Sequence, residues 1–533
     1  MKNKLLTVLC LSFFGLSCFA QNLSDDYKVI HVGKQVKDIA YDNPYASPLE
    51  NYIARIHLWI EGKYDTIYSG MTDAIVRQLP QKPYSQKAAE FLLGSEIEQV
   101  VIYKDSIGFA FRKEKNSDIY LVGASVCEDG KWLGNREGYC FAKNMNELKQ
   151  YIEDNSIRNL NSLRQYNRQQ IVSTDTLAFI NYLKMNGQFP VNYLIDKLKN
   201  HKLVIYGELH FRKNSWDLLQ QLVRLPEFSE NTGTVFLELS KNAQPELDQF
   251  FKNQTKDTNI ILNIFRKEEI NGWNDKGMYD FLLELWDVNH KFTNKINVIA
   301  TDMPRLFYRN ITSNEQCDSI YRTTCDRNEI MTETILNTIN NSQDKRNNLF
   351  IVGWGHAYKS PAKQLAGWQI NGLSAGFLLS DKIGKENVFS IFTHSPNMSN
   401  NGVIFGKLRK GLFDCVFEQN GNIPIAFNLY NSPFGNELFD AADIRFDIQT
   451  GTFADNFDGY IFLQSLHEEV KNIPLYELYS DDFVEEIKRR ARVCNIGDIF
   501  GIHADDITKE KIHEILTAYM KENDNKRFWF DNK

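Results

Sequence analysis

The rhythm of apolar residues changes near residue 200. Before it, short alternating runs follow one long helical stretch. After it, compact apolar runs alternate with segments whose apolar positions recur every three or four residues. The runs "KLVIYGE" (202–208), "GTVFLEL" (233–239), "INVIATD" (296–302), "NNLFIVGWGHA" (347–357) and "NVFSIFTH" (387–394) predict strands covered on both faces. Between them, "SWDLLQQLVRL" places Trp216, Leu219, Leu222 and Val223 on one helical face. "GMYDFLLELWDVNH" does the same with Tyr279, Leu282, Leu283 and Trp286, and "DRNEIMTETILNTI" and "AGFLLSDKIG" predict two more helices. Strand and helix in alternation mean an α/β domain: a central, mostly parallel sheet with helices on both faces. "DGYIFLQSL" (458–466) predicts a last strand after a loop-rich insertion, 395–457. A helical tail follows in "DDFVEEIKRRARV" and "ITKEKIHEILTAYM".

The part before residue 165 predicts a small α+β unit. "SPLENYIARIHLWIEGKYDTIYSGMTDAI" has a helical rhythm, and "EQVVIYKD", "IGFAFRK", "DIYLVGASVCEDGKWLG" and "EGYCFA" predict antiparallel strands, with a hairpin turn at Glu128-Asp129-Gly130. With "EGKYDTIYSG" early and "EDGKWLG" late, the layout is similar to an NTF2-like cone. The polar stretch 161–175 is a linker, and Thr174 or Asp175 caps the helix "TLAFINYLKMNG". The expected organisation is therefore a leader at 1–20, an α+β domain at 21–165, the α/β domain at 166–465 and a helical extension at 466–533.

The leader reading comes from "MKNKLLTVLCLSFFGLSCFA": two lysines, an apolar run, then small residues, the layout of a secretory signal peptide. Cleavage after Ala20 is expected; lipidation of Cys18 is the alternative, although Gly15 stands where a lipobox has a branched apolar residue. No later run is long enough to span a bilayer. The chain is thus expected to be exported, periplasmic or secreted, soluble or tethered by a lipid. Its 533 residues exceed one ordinary core, and 43% hydrophobic and 13% aromatic residues suit globular packing. Removing Lys2 and Lys4 takes the net charge from −7 to −9, and no sustained basic run remains, which argues against a nucleic-acid partner. Six cysteines follow the leader. By spacing, Cys127/Cys140 and Cys317/Cys325 are the expected local pairs; Cys415 and Cys494 stand apart.

In open parallel sheets, ligands bind beyond the carboxyl ends of the strands. Here the predicted strands end in Gly207-Glu208-Leu209-His210, Leu237-Glu238, Thr301-Asp302 and Gly353-Trp354-Gly355-His356. Two of these carboxylates, Glu208 and Glu238, with the two imidazoles on one rim suit two chemistries: a divalent metal that acidifies a bound water, or a carboxylate-oriented histidine acting as base on water without metal. Each residue also has an ordinary explanation. Glu208 and His210 can be a surface pair, Glu238 or Ser240 can cap the next helix, Asp302 before Met303-Pro304 can make a turn, and Asp326 can cap the helix that carries Arg327. Phe211, Trp216, Trp354 and Tyr358 suit core or rim positions better than a haem box.

"YGELH", "VFLEL", "IATD" and "IVGWGHA", in that order on alternating strands, resemble the superfamily that joins TIKI/TraB-type proteins, ChaN-like haem-binding uptake proteins and erythromycin esterases. Gly207–His210 and Gly353–His356 fit its Gly-x-x-His motifs, and Glu238 fits its separate Glu. Trp273 in "NGWND", and Arg327 and Met331 in "DRNEIM", are similar to the esterase pattern, although two residues rather than three separate each Gly from its His. The resemblance covers about residues 200–465. It implies a shared site in which His210 is the base or first metal ligand, Glu208 its partner, Glu238 and His356 the rest, and Arg327 a neutraliser of developing negative charge. The same Glu208, His210, Glu238 and His356 would hold Zn, Mn or Fe if a metal is used. The expectation is an exported hydrolase that cleaves an ester or amide bond in a small molecule or peptide. The alternatives are a haem- or metal-binding uptake protein without catalysis, and a non-catalytic interaction scaffold.

Overall fold

The computed structural model describes residues 27–63, 92–103, 105–113, 120–128, 130–140, 173–268, 270, 272–304, 310–317, 326–361, 373–398, 404–441, 451–469 and 472–525. The expected leader, the helical rhythm past residue 63, most of the linker and Cys325 lie outside these residues. The chain divides into two compact units at Gln165/Tyr166.

The first unit is α+β. Strands β1 (Tyr27–Gln35), β2 (Glu96–Tyr103), β3 (Ile107–Lys113), β4 (Tyr120–Glu128) and β5 (Lys131–Cys140) form an antiparallel sheet in sequence order. The first of them was not legible in the apolar rhythm, since its Lys28, Ile30, His31 and Gln35 leave no clean alternation. Helix α1 (Pro48–Ile60) starts with the Ser47 hydroxyl accepting from the Glu50 N–H at 3.1 Å, and Pro48 occupies its first turn, where a missing N–H does no harm. Its Tyr52, Ile53 and Ile56 bury against Ile97, Val100, Ala110 and Trp132. Cys127 carries a free thiol, so the expected Cys127–Cys140 bridge does not form.

The second unit holds the parallel sheet. Its strands are β6 (Leu203–Glu208), β7 (Thr232–Ser240), β8 (Asn297–Asp302), β9 (Asn347–Gly353) and β10 (Val388–Thr393). A short ribbon, β11 (Asn397–Met398) and β12 (Ile404–Gly406), follows, then β13 (Ile425–Asn428) and β14 (Gly459–Phe462), and the tail adds a small antiparallel pair, β15 (Asp498–Ile499) and β16 (Ile502–His503). The large sheet runs β13-β14-β10-β6-β9-β7-β8, parallel throughout except for β13 against β14. Every residue of β6, β7 and β10 is buried, which is why these strands read as unbroken apolar runs.

Successive side chains alternate between faces. Val204 and Tyr206 join one core with Val235, Leu237, Leu349 and Ile351, while Leu203 and Ile205 join the other with Phe236, Phe350 and Val352. The second face is covered by α2 (Thr176–Asn186), α8 (Arg327–Asn341), α9 (Ala375–Ile383) and α10 (Leu412–Gln419). The first is covered by α3 (Pro190–Asn200), α4 (Lys213–Val223), α5 (Gln244–Lys252), α6 (Thr258–Lys267) and α7 (Lys276–Lys291). Helices α11 (Asp481–Val493) and α12 (Lys509–Asn525) of the tail bury Phe483, Val484, Ile487, Ile512 and Leu516 in that same first core. Each fully buried chain of this size stabilises by about 1.5–3 kcal/mol.

Two expectations need correction. The insertion 395–457 is not merely loop: Phe413, Phe417, Phe427, Phe434, Phe439, Phe453 and Phe457 form an aromatic half-core with Tyr460 and Phe462, and the insertion supplies the antiparallel edge strand β13. Only α10, with Leu412, Phe413, Val416 and Phe417 buried, is long enough to show a helical period; most of the other aromatics lie on or beside four-residue pieces. Cys317 is bonded not to Cys325 but to Cys494, 177 residues away, with Cα atoms 5.6 Å apart. That bridge ties the segment after β8 to the end of α11, a contact no local spacing announces.

Strand ends meet because β9 inserts between β6 and β7. Glu208 pairs with Gly353 across β6 and β9, and Ser240 pairs with Asp302 across β7 and β8. The close approach depends on Gly207: a Cβ there would lie 2.7 Å from the Ile391 carbonyl oxygen and 3.1 Å from the Ala357 Cβ. Both obstacles are fixed, one being backbone. Gly207→Ala is therefore expected to cost about 1–3 kcal/mol, as overpacking does, read as a lower urea midpoint; an unchanged midpoint would show that the strands have room to part.

Candidate active site

Glu208, the last residue of β6, is buried, and the His210 ring folds back onto it so that Nδ1–H donates to Glu208 Oε1. The other ring nitrogen, Nε2, points across the rim and stands 3.8 Å from Glu238 Oε2. His356, in the turn that follows β9, approaches Glu238 from the other side, with its Nε2 3.5 Å from Oε1. The His356 Nδ1–H donates to Asn328 Oδ1 at 2.6 Å, so Nε2 presents its lone pair to the cleft. One carboxylate thus lies between two imidazoles.

Glu238 does not float. Gly353 N–H donates to its Oε2 at 2.8 Å, and Arg327 Nη2 donates to its Oε1 at 2.7 Å. Arg327 in turn is clamped by Asp302, through Nε at 2.9 Å and Nη2 at 2.7 Å. Asp326 starts the helix by accepting from Asn328 N–H at 2.9 Å, and so places Arg327 and Asn328 together in one first turn. Gly353 leaves the centre open: a Cβ there would meet the His210 ring at 3.3 Å and Glu238 Oε2 at 3.4 Å.

The electrostatics separate the two histidines. Burial works against a charge on His210, but the Glu208 carboxylate, its hydrogen bond, and the Glu238 and Asp275 carboxylates outweigh it and lift the ring to about 9. For His356 burial is the main cause of the shift, and the Arg327 guanidinium adds to it; Glu238 and Asp302 oppose, and the ring falls to about 4. For Glu238, burial would raise the pKa, yet His356, His210, Arg327 and the Gly353 N–H together hold it well below the usual carboxylate range. Near neutral pH the site therefore holds an imidazolium, an ionised carboxylate and a neutral imidazole in a row.

All five expected residues, Glu208, His210, Glu238, His356 and Arg327, come together at this rim. The expected metal set is not arranged for a cation: among the described residues, no group of three or more His, Cys, Asp or Glu side chains could hold one. The reason is visible in the bonding. Glu208 stands behind His210 rather than beside it, Glu238 already carries a guanidinium, and His356 Nδ1 is committed to Asn328. The donors left over are the two Nε2 atoms and Glu208 Oε2, which is buried without a hydrogen-bond partner among the described residues. Arg327, with Asp302 and Glu238 against it, is a neutralised strut.

Sequence reading missed several participants. Asn328 carries no signal beyond its place after Arg327. Asp275 caps α7, accepting from Gly277 N–H at 2.7 Å; burial is the main reason its carboxyl is pushed up to about 7, and the Glu208 carboxylate adds to the rise. Of the four rim aromatics, Trp216, Trp354 and Tyr358 are buried, whereas Phe211 is exposed and stacks on Trp273.

A scan against protein-family models and a search of curated proteins give no match. Solved structures do match. One is a Bacillus cereus protein, 12% identical, covering 55% of this chain and 98% of its own, with a TM-score of 0.36. Another is an erythromycin esterase in its open conformation, 10% identical, covering 53% and 94%, with a TM-score of 0.36. A third is the haem-binding ChaN of Campylobacter jejuni, 15% identical, covering 39% and 87%, with a TM-score of 0.26. The last two are of the kinds that the motif order resembles. At such identities and scores the likeness carries no argument about activity, and the side-chain geometry stands by itself.

Histidine ring resonances followed by NMR should show one ring titrating near 4 and another near 9, the second returning toward 6.5 in Glu208→Gln. The sign for stability follows. The raised His210 contributes fully below 6.5 and loses its contribution as pH rises through about 9; the lowered His356 costs stability as pH falls from 6.5 toward 4. Two rings titrating together near 6.5 would contradict the electrostatic picture.

Proposed function

We propose that this protein is a hydrolase that cleaves an ester or amide bond of a small molecule or peptide with water. The observation that carries the reading is the pair of imidazoles on either side of Glu238, one held neutral and one held protonated. Titratable pairs pushed apart in this way are how proteins assign base and acid.

In this reading His356 Nε2 takes a proton from water as the oxygen attacks the carbonyl carbon. Glu238 orients that water and stabilises the imidazolium that forms. The His210 imidazolium first stabilises the developing oxyanion. It then gives its Nε2 proton to the departing oxygen or nitrogen as the carbonyl carbon's bond to it breaks, leaving an acid and an alcohol or amine. Proton exchange with solvent restores both rings. Glu208 holds His210 in orientation, Asn328 fixes the tautomer of His356, and Arg327 with Asp302 positions Glu238; these four do not touch the reacting atoms. The first twenty residues support export to the periplasm or beyond, and the substrate would then be met outside the cytoplasm.

Activity of the full chain on a panel of esters and amides should be bell-shaped in pH, rising through about 4 and falling through about 9, with a plateau between. His356→Asn should lower kcat/KM by about 10²–10⁴-fold. His210→Asn should lower it by a similar factor and remove the alkaline limb, and EDTA should leave the rate unchanged. Hydrolysis indifferent to His356→Asn would sink the assignment. A Soret band after addition of haemin, with no hydrolysis at all, would favour the haem-binding alternative.

A further inference from the structure

Phe211 follows His210 directly and breaks two habits at once. Its φ of +68° lies in the left-handed region, which aromatic residues rarely adopt, and the residue is 43% exposed while the neighbouring Trp216, Trp354 and Tyr358 are buried.

The strained backbone is held from several directions. The Phe211 carbonyl accepts from Asn472 N–H at 2.8 Å. Arg212, next in the chain, is buried and ion-paired with the buried Glu469, Nε to Oε2 at 2.8 Å, and Asn214 donates to the same carboxylate at 3.1 Å. Asn472 also donates to Asp275, two residues after Trp273, whose own N–H donates to the Phe265 carbonyl at 3.0 Å. Fixed in this way, Phe211 stacks on Trp273 with centroids 5.6 Å apart and planes at 22°. Both rings stand edge-to-face to the His210 ring, Trp273 at 5.4 Å and 84°, Phe211 at 6.2 Å and 75°. The Trp273 Nε1 is buried, so what the pair offers a ligand is ring surface and not an N–H donor. Backbone strain that presents an exposed aromatic beside a reacting group is the signature of a recognition element.

We infer that Phe211 and Trp273 form an aromatic platform for the leaving group, so that the preferred substrate carries a flat, apolar, ring-sized group on its alcohol or amine side. The inference rests on the proposed role of His210 as proton donor to that group, since the platform borders His210 and not His356. It assigns specificity to residues that perform no proton transfer.

The test compares benzyl and methyl esters of one acid, whose alcohols leave with similar ease, on the full chain. The benzyl ester should be preferred by about tenfold or more in kcat/KM. Phe211→Gly, which suits a left-handed position and so preserves the fold, should bring the ratio down toward one, and Trp273→Leu should lower it as well. A wild-type ratio near one, or a ratio that survives both substitutions, overturns the platform. Calorimetry with benzyl methylphosphonate against methyl methylphosphonate, monoesters that carry the compared group on oxygen as a leaving alcohol is carried, separates this inference from the catalytic one. Tight, Phe211-dependent binding of the benzyl compound without hydrolysis of either ester keeps the platform and removes the hydrolase. Hydrolysis without that dependence does the reverse, and neither binding nor hydrolysis removes both.

Discussion

The ion pair between Glu238 and Arg327 is the constraint on which the rest of the site depends. A carboxylate this deeply buried is expensive unless it is paired and hydrogen-bonded. Here the pairing comes from Arg327, the hydrogen bond from Gly353, and the guanidinium is itself held by Asp302. Three strands and one helix are thereby tied together at their ends, through β7, β8, β9 and the first turn of α8. Because Glu238 is locked as an anion and raises both imidazoles, the difference between them is set by their other neighbours: Glu208 lifts one ring, burial and Arg327 depress the other. The asymmetry of the pair is thus a property of the frame and not of the histidines.

That frame is the basis on which proton-transfer chemistry is proposed for the site. A divalent cation between the rings would compete with Arg327 for Glu238, and each His Nδ1 already has a carboxylate or an amide against it. Opposite protonation states a few ångströms apart, around a shared anion, are what water activation and leaving-group protonation require together. The C-terminal segment contributes without supplying a reacting atom. Glu469 and Asn472 hold Arg212 and Phe211, and helix α11 behind them is fastened by the Cys317–Cys494 bridge.

Much of this was legible in the sequence, for definite reasons. A buried parallel strand is an unbroken apolar run, so β6, β7, β9 and β10 stand out, and polar residues at their ends must lie on one edge of the sheet. Glu208 and His210, two apart, predict their own contact. The spatial order of the strands did not follow: that β9 separates β6 from β7, and so brings His356 against Glu238, depends on helix packing that no local rhythm reports. Glu238 and Arg327 were singled out separately, but their bond spans 89 positions and appears only once α8 is docked. Asn328, Asp275 and the exposure of Phe211 are likewise products of tertiary placement, as is the long-range disulfide. The aromatic half-core escaped notice because its elements are short and separated by loops, so that its aromatics follow no common period along the chain.

Removing the shared anion probes the whole account at once. In Glu238→Gln, ring titrations of both histidines should move together, His210 falling from about 9 and His356 falling below about 4, because Glu238 raises both. If either ring keeps its wild-type midpoint, Glu238 does not stand between them, and the site described here is not the one the protein uses.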